Sequence, residues 1–504
     1  MKNKFLLTSF SLLFFLLFTA CDTSSPGVIP ESVTYRFDDL HENDIFMVKV
    51  NTSTFIIPAA NTGRVRNFSP DLIYPRFQEE INFSADTAFY SSTVSPPGHP
   101  AAREFSANPP PIIDEVPVRS RSGFTSPEVG DKRSFLIESF LNSRVFIDSE
   151  ATLRATGCYG NIWVLDIDKD RITDIMAEDL AALFDDVYRV STNILGYEYG
   201  GGPDGNGGRD GDSKIQILIH DIVDGSGDVV AAGYFWGKDF YPKTQSTYSN
   251  EAEIFYIDTS HVMENFGFMP YLLVHELQHM INFNIKYIQN GKSAATWYNE
   301  LLSMMAEEII SSAVTGVSQS DRYHPLRRMS LFLDYYYLEG MTEWPGLERL
   351  SYAKAYAFGA YLSRNFGGVE LLREIMSNDR VDIESLSLAL NKLNPGMDFK
   401  TALVRLGEAM IYSGDSVTDD IVTFDRSVTN EINGISYTAE AFDIWKPNDH
   451  FIYGPTIGIL TPFQMRPHSI IIHSDLAWLN VSGSISIDVE KPLNPNVEIY
   501  FLVK

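Results

Sequence analysis

Tyr-Leu-Leu-Val-His-Glu-Leu-Gln-His-Met-Ile-Asn-Phe, residues 271–283, decides how this 504-residue chain is read. Tyr271, Leu272, Val274, Leu277, Met280, Ile281 and Phe283 recur at helical spacing and predict a mostly buried helix. His275 and His279 then stand one turn apart on one face, where both imidazoles can grip one cation. Glu276 lies about 100° round the same turn, close enough to take a proton from a metal-bound water. That is the H-E-x-x-H chemistry of a zinc-dependent hydrolase. The plainer alternative, two surface histidines and a solvated glutamate, conflicts with the apolar periphery, because buried imidazoles need partners.

Zinc at a catalytic site takes a third protein ligand and leaves the fourth position to water. Residues 296–310, Thr-Trp-Tyr-Asn-Glu-Leu-Leu-Ser-Met-Met-Ala-Glu-Glu-Ile-Ile, predict a second apolar-periodic helix with Thr296 as its N-cap. Glu300 is its best inward-facing ligand. Glu307 falls two turns later on the same face, where it can accept a hydrogen bond from a ligand histidine. A solvated acidic edge is the equal alternative for Glu307 and the expectation for Glu308.

His-Glu-Leu-Gln-His followed about two dozen residues later by Asn-Glu resembles the gluzincin metallopeptidases, in which the Glu after Asn is the third zinc ligand. Residues 297–307 are similar to the aminopeptidase N group, including the second Glu seven positions on. The thermolysin pattern carries an Asp four residues after the ligand; Met304 stands there instead. Roughly residues 134–415 look most like the hyicolysin family of bacterial secreted neutral metallopeptidases. The likeness rests on His-Glu-x-Gln-His-Met-Ile-Asn, the Asp-Gly-Asp loop before a strand, and the Asn-Glu helix. It implies an α+β, two-lobed, thermolysin-like domain that holds one catalytic Zn²⁺ on His275, His279 and Glu300 and acts on peptides or proteins.

Residues 350–362 resemble the downstream helix of aminopeptidase N relatives, whose Tyr-x-Lys-Gly pattern supplies an oxyanion donor. Tyr352 matches that position, with Ala355 in place of the Gly. A core tyrosine on an aromatic helix is the competing reading, Tyr356 is the second candidate, and Tyr323 and His324 are expected at the surface. Val262-Met-Glu-Asn265 is similar to an exopeptidase motif but has His261 where the Gly belongs and lies too close to His275. Internal peptide bonds are therefore the expected target.

A net charge of −27 argues against nucleic acid or an anionic membrane surface as partner. Lys2 and Lys4 before the apolar run Phe5–Phe18, then Thr19-Ala20-Cys21, read as a signal peptide over residues 1–20. The cysteine resembles a bacterial lipobox, which implies a lipid anchor at Cys21, an exported cell-envelope lipoprotein, and secretion if Cys21 is not acylated. The one remaining cysteine, Cys158, is expected to be a small buried hydrophobe.

Residues 21–93 read as a tether and a small β domain, and 94–133 as a Pro-rich linker or removable pro-segment. Residues 134–415 form the metallopeptidase domain. Strand candidates there are 144–148, 161–166, 214–219, 229–236 and 253–258, with a helix over 176–195. Nearly everything after residue 268 is helical. That order suggests two lobes with the zinc helix at the seam, and 229–236 as a cleft-edge strand to which an extended substrate adds. Residues 416–504 return to short strands, including 456–460 and 477–481, and suggest an appended sandwich. The glycine-rich loop 199–212 carries Asp204, Asp210 and Asp212, oxygen ligands suited to Ca²⁺; a plain turn is the stronger expectation, since the spacing does not match an EF-hand. The rival to an enzyme is a surface lipoprotein with a binding or adhesion role on a dormant peptidase scaffold, against which the intact Glu276 speaks.

Overall fold

The computed structural model describes residues 31–66, 99–112, 125–139, 145–223, 231–346, 348–414, 420–448, 450, 454–457 and 464–504. The predicted signal peptide and the lipobox at Cys21 lie outside the described residues. Among the described residues no helix is long and apolar enough to cross a membrane.

The chain opens with strands β1 (Ser32–Asn43), β2 (Ile45–Asn51) and β3 (Ile57–Pro58), then helix α1 (Pro100–Ala107). A six-stranded sheet follows, made of β4 (Lys132–Ser139), β5 (Val145–Thr156), β6 (Gly160–Leu165), β7 (Ile215–His220), β8 (Gly233–Phe235) and β9 (Ile254–Asp258) in the order β4-β5-β6-β7-β9-β8. The β6–β7 and β7–β9 pairs are parallel and the others antiparallel. Every residue of β6, β7 and β9 is buried, as expected of parallel strands covered on both faces. Helix α2 (Asp174–Leu195) connects the parallel pair. Thr173 caps it by accepting from Met176 N–H, and Gly196, at φ 90°, ends it.

Helices dominate from there: α3 (Thr259–Glu264), α4 (Met269–Asn282), α5 (Thr296–Ile309), α6 (Met329–Tyr335), α7 (Glu348–Phe366), α8 (Val369–Ser377), α9 (Asp382–Leu393) and α10 (Phe399–Tyr412). The fold is thus mixed α+β, with ten α-helices among the described residues. One apolar core joins α2, the inner face of the sheet and the helical half, and α4 runs through it buried on almost every side. Thr296 is the first residue of α5 and not its cap. Ala295 takes the cap position with no side-chain bond, and its N–H goes to Asp382 Oδ1 at 2.9 Å.

The segments read as an N-terminal β domain and a C-terminal sandwich hydrogen-bond to each other. β2 is the centre of a sheet flanked by β13 (Ile470–His473) and β15 (Val497–Val503), and β1 pairs with β14 (Val481–Glu490). A short β12 (Gln464–Met465) pairs with β3. β10 (Val428–Ile432) and β11 (Ile435–Ala439) form a hairpin that Asn193 of α2 anchors through Ile432 O at 3.0 Å and Tyr437 Oη at 2.9 Å. The expected strand over 477–481 is a short 3-10 turn at Leu476–Trp478, with pairing beginning only at Val481. Cys158 is exposed in the β5–β6 turn, where its N–H donates to Asp185 Oδ2, so the expectation of a buried thiol is wrong.

Candidate active site

α4 begins with Pro270 in its first turn and has no side-chain cap, so burial of its apolar surface carries it. It lies close against the edge strand. A Cβ on Gly233 would stand 2.7 Å from Tyr256 O of the paired strand β9 and 3.3 Å from the end of the Leu272 side chain of α4, so a glycine eases both contacts. The result is a main-chain contact: Phe235 N–H of β8 donates to Glu276 Oε2 at 2.7 Å. The other oxygen, Glu276 Oε1, is buried and has no hydrogen-bond partner. At the far end of α4, Asn282 Nδ2 donates to Asn299 Oδ1 at 2.8 Å, tying α4 to α5 directly beside Glu300.

His275, His279 and Glu300 converge, with one ligand atom of each within 4.8 Å of the others. The Nε2 atoms of the two histidines are 2.9 Å apart, and Glu300 Oε2 lies 3.3 Å from the first and 3.6 Å from the second. His275 Nδ1 donates to Glu307 Oε1 at 2.8 Å, and Arg328 Nη1 donates to Glu307 Oε2 at 2.7 Å. Ser303 Oγ, which donates to Gln278 Oε1, stands 3.2 Å from His279 Nδ1 and 3.4 Å from its Nε2. His275 Nδ1 is thus engaged by Glu307, which leaves its Nε2 to face that of His279. Both Glu300 oxygens are buried without a hydrogen-bond partner. Two imidazole Nε2 atoms and a carboxylate oxygen brought together in a dry interior fit a divalent cation.

The electrostatics agree. Burial disfavours charge on His275, but Glu300 and Glu307 outweigh it and push its pKa up to about 10. Burial likewise opposes charge on Glu300, yet the His279 and His275 imidazoles hold it well below the usual carboxylate range. The pocket therefore calls for a cation, as a proton or as a metal. Burial pushes Glu276 up, opposed by the two imidazoles, as suits a base.

Tyr352 of α7 is buried, its ring 6.3 Å from that of His275, and its Oη accepts from Arg103 Nη1 at 3.1 Å. Tyr356 instead donates to Glu308 at 3.1 Å. Glu308 is not a solvated edge: it is buried against Arg364, whose Nη1 donates to it at 3.1 Å. Tyr323 and His324 are buried too. Tyr323 donates to Asn265 Oδ1, and His324 Nδ1 accepts from Leu326 N–H, so both serve the scaffold. Sequence reasoning missed Arg328, Ser303 and Arg103 as neighbours of the site. Ser303 stands three residues after Glu300 on the same helix face, a signal that could have marked it, whereas Arg328 and Arg103 come from other elements and no local pattern marks them.

The calcium expectation has no support. Asp204 is exposed, while Asp210 uses its oxygens on Arg133 (3.1 Å) and Asp212 N–H (2.9 Å). Asp212 accepts from Lys214 N–H, Asn161 Nδ2 and Gln216 Nε2. These carboxylates hold the loop together and keep no converging lone pairs for an ion.

Two histidines, a glutamate and an adjacent carboxylate on the first helix are the donor set of the metal-dependent hydrolases. A family model, Peptidase M30, matches residues 146–416, more than half of the chain, and the chain belongs to that family. It is also 28% identical over 295 residues to the neutral metalloprotease ShpI of Staphylococcus hyicus, covering 56% of this chain and 62% of that relative. The match thus spans less than two thirds of the relative's length.

Proposed function

We propose that this protein is a zinc metallopeptidase that cuts internal peptide bonds, its ion held by His275, His279 and Glu300. The observation that carries the reading is the pair of Nε2 atoms at 2.9 Å with Glu300 Oε2 3.3 Å and 3.6 Å from them, and Glu276 Oε1 without a hydrogen-bond partner. Zinc in that position supplies Lewis acidity, polarising a carbonyl and acidifying water at neutral pH. The rest falls to the chain's own groups. Glu276 Oε1 takes the proton of the attacking water and returns it to the leaving amine, while Phe235 N–H fixes the other oxygen and so the aim of the base. Tyr352 is the proposed oxyanion donor. Its Oη accepts from Arg103 Nη1 at 3.1 Å, which sets a cation beside the phenol. β8 is an edge strand of the sheet, suited to pairing with an extended substrate.

The same reading carries a two-lobed, thermolysin-like arrangement, supported by β8 meeting Glu276 from the sheet side and α5 bringing Glu300 from the helical side. Export as a lipoprotein anchored through Cys21 belongs to it as well; palmitate labelling of wild type against Cys21→Ala tests that address. For the chemistry, the test is cleavage of a peptide mixture by wild type and Glu276→Gln, with bound zinc measured in both. The expected result is a loss of about 10²–10⁴-fold with zinc retained. Equal cleavage by the two proteins rejects the mechanism, and cuts only at chain ends reject the endopeptidase assignment.

A further inference from the structure

The five side chains of the site are sealed from solvent: His275, Glu276 and Glu300 are 0% exposed, Tyr352 2% and His279 6%. A hydrolase has to admit a peptide, so what lies over the site matters. Residues 99–111 lie against it from the N-terminal side of the catalytic domain. α1 touches both α5, the Glu300 helix, and the 3-10 turn Gly237–Phe240 that follows β8.

Anchors along this segment reach three different parts of the fold. At its start, the His99 ring stacks on Trp236 at 5.2 Å, with its Nε2 3.3 Å from Glu138 of β4, and Ala102 is buried in the apolar cluster that holds Tyr234 and Trp236. In the middle, Arg103 crosses to α7, where it donates to Tyr352 Oη at 3.1 Å and pairs with Glu348. Its side chain is 9% exposed, and Glu300 is among the charges that hold its pKa up against burial. Phe105 packs edge-on against Tyr241 at 5.5 Å. At the end, Tyr241 Oη and Tyr287 Oη both donate to Pro110 O at 2.6 Å, and Gln245 Nε2 donates to Pro111 O at 2.5 Å.

The segment thus bridges the edge strand and the helix that carries Tyr352, the two walls between which a substrate has to lie. Arg103 ties the segment to the phenol proposed as the oxyanion donor. We propose that residues 99–111 form an inhibitory strap, pinned by Arg103, and that peptide enters the site only when this strap is lifted. The proposal rests on the metallopeptidase reading above. The anchors are ring stacking, the apolar seat of Ala102, the His99–Glu138 contact, one buried cation and side-chain hydrogen bonds to the carbonyls of Pro109, Pro110 and Pro111, a set that adds no strand to the sheet beneath.

Two variants of the full-length protein test it. Arg103→Gln removes the pin. Ala102→Trp pushes the strap away with bulk while leaving every group that meets Tyr352 or the metal ligands intact. Cleavage of a quenched peptide mixture is compared with wild type and with Glu276→Gln, and the rate at which a chelator strips zinc is measured alongside. A rise in kcat/KM of about tenfold or more in either variant, the scale of one charge-assisted hydrogen bond, together with faster zinc stripping, supports the strap. Activity well above Glu276→Gln in wild type, with a fall or no change in both variants and unchanged stripping, overturns it while the peptidase assignment stands. If all forms bind zinc and none exceeds Glu276→Gln, the peptidase assignment fails and the strap fails with it.

Discussion

Glu307→Gln isolates the part of the site that the chain's order hides. Glu307 faces two donors, His275 Nδ1 at 2.8 Å and Arg328 Nη1 at 2.7 Å, one on each carboxylate oxygen. An amide of the same shape offers one oxygen and one NH₂, so one donor is left facing another donor. If the NH₂ turns to His275, the imidazole loses the partner that fixes its tautomer and orientation. If it turns to Arg328, a guanidinium that is largely buried loses its counter-charge. Loss of such a supporting carboxylate weakens metal affinity by about 10–100-fold, equivalent to roughly 1.4–2.8 kcal/mol. Competition with a chromogenic chelator reads the affinity directly, and activity at saturating zinc separates binding from chemistry. The expected pattern is a weaker zinc affinity with activity largely restored by excess metal. Unchanged affinity in a folded Glu307→Gln protein refutes the claim that Glu307 orients His275 for an ion.

Other consequences are open to measurement. Glu308→Ala leaves the Arg364 guanidinium, which is fully buried, without its carboxylate; urea unfolding is expected to show a loss of about 3–5 kcal/mol, and a loss under 1 kcal/mol refutes the buried-pair account. His220 at the end of β7 is buried, which depresses its pKa to about 4 although Asp221 and Asp258 oppose the shift. The unfolded chain binds that proton near pH 6.5, so its contribution is complete above 6.5 and drains away as pH falls towards 4. In His220→Gln the slope of stability against pH in that window should flatten by up to about 1.4 kcal/mol per pH unit; an unchanged slope disproves a neutral buried imidazole. Calcium in the millimolar range should leave the thermal midpoint within about 1 °C, since Asp210 and Asp212 are committed to the loop; a rise of several degrees would restore the calcium site.

Local pattern was enough for the helix that carries His275, Glu276 and His279. Apolar spacing through residues 271–283 places His275, Glu276 and His279 relative to one another, because an α-helix fixes neighbours one turn apart with no outside help. The strands from β5 to β9 and helix α2 were legible for the same reason, as periodicity reports burial on a regular element. Glu300 was reachable through its own helix and the Asn-Glu resemblance. What no local pattern contains is the distance between elements. Ser303, Arg328 and Phe235 N–H meet the site only because α5, the turn before α6 and the edge strand pack onto α4, and a glycine at 233 eases the approach of the last of them. Glu308 looks solvated in sequence and is buried only because Arg364 arrives from another helix to neutralise it. The pairing of β1 and β2 with strands from the far end of the chain is also a tertiary matter, since hydrogen-bonded register over more than 400 residues leaves no trace in either segment alone. The same holds for the strap: Arg103 sits in an ordinary-looking stretch, and only the folded chain sets its guanidinium on Tyr352.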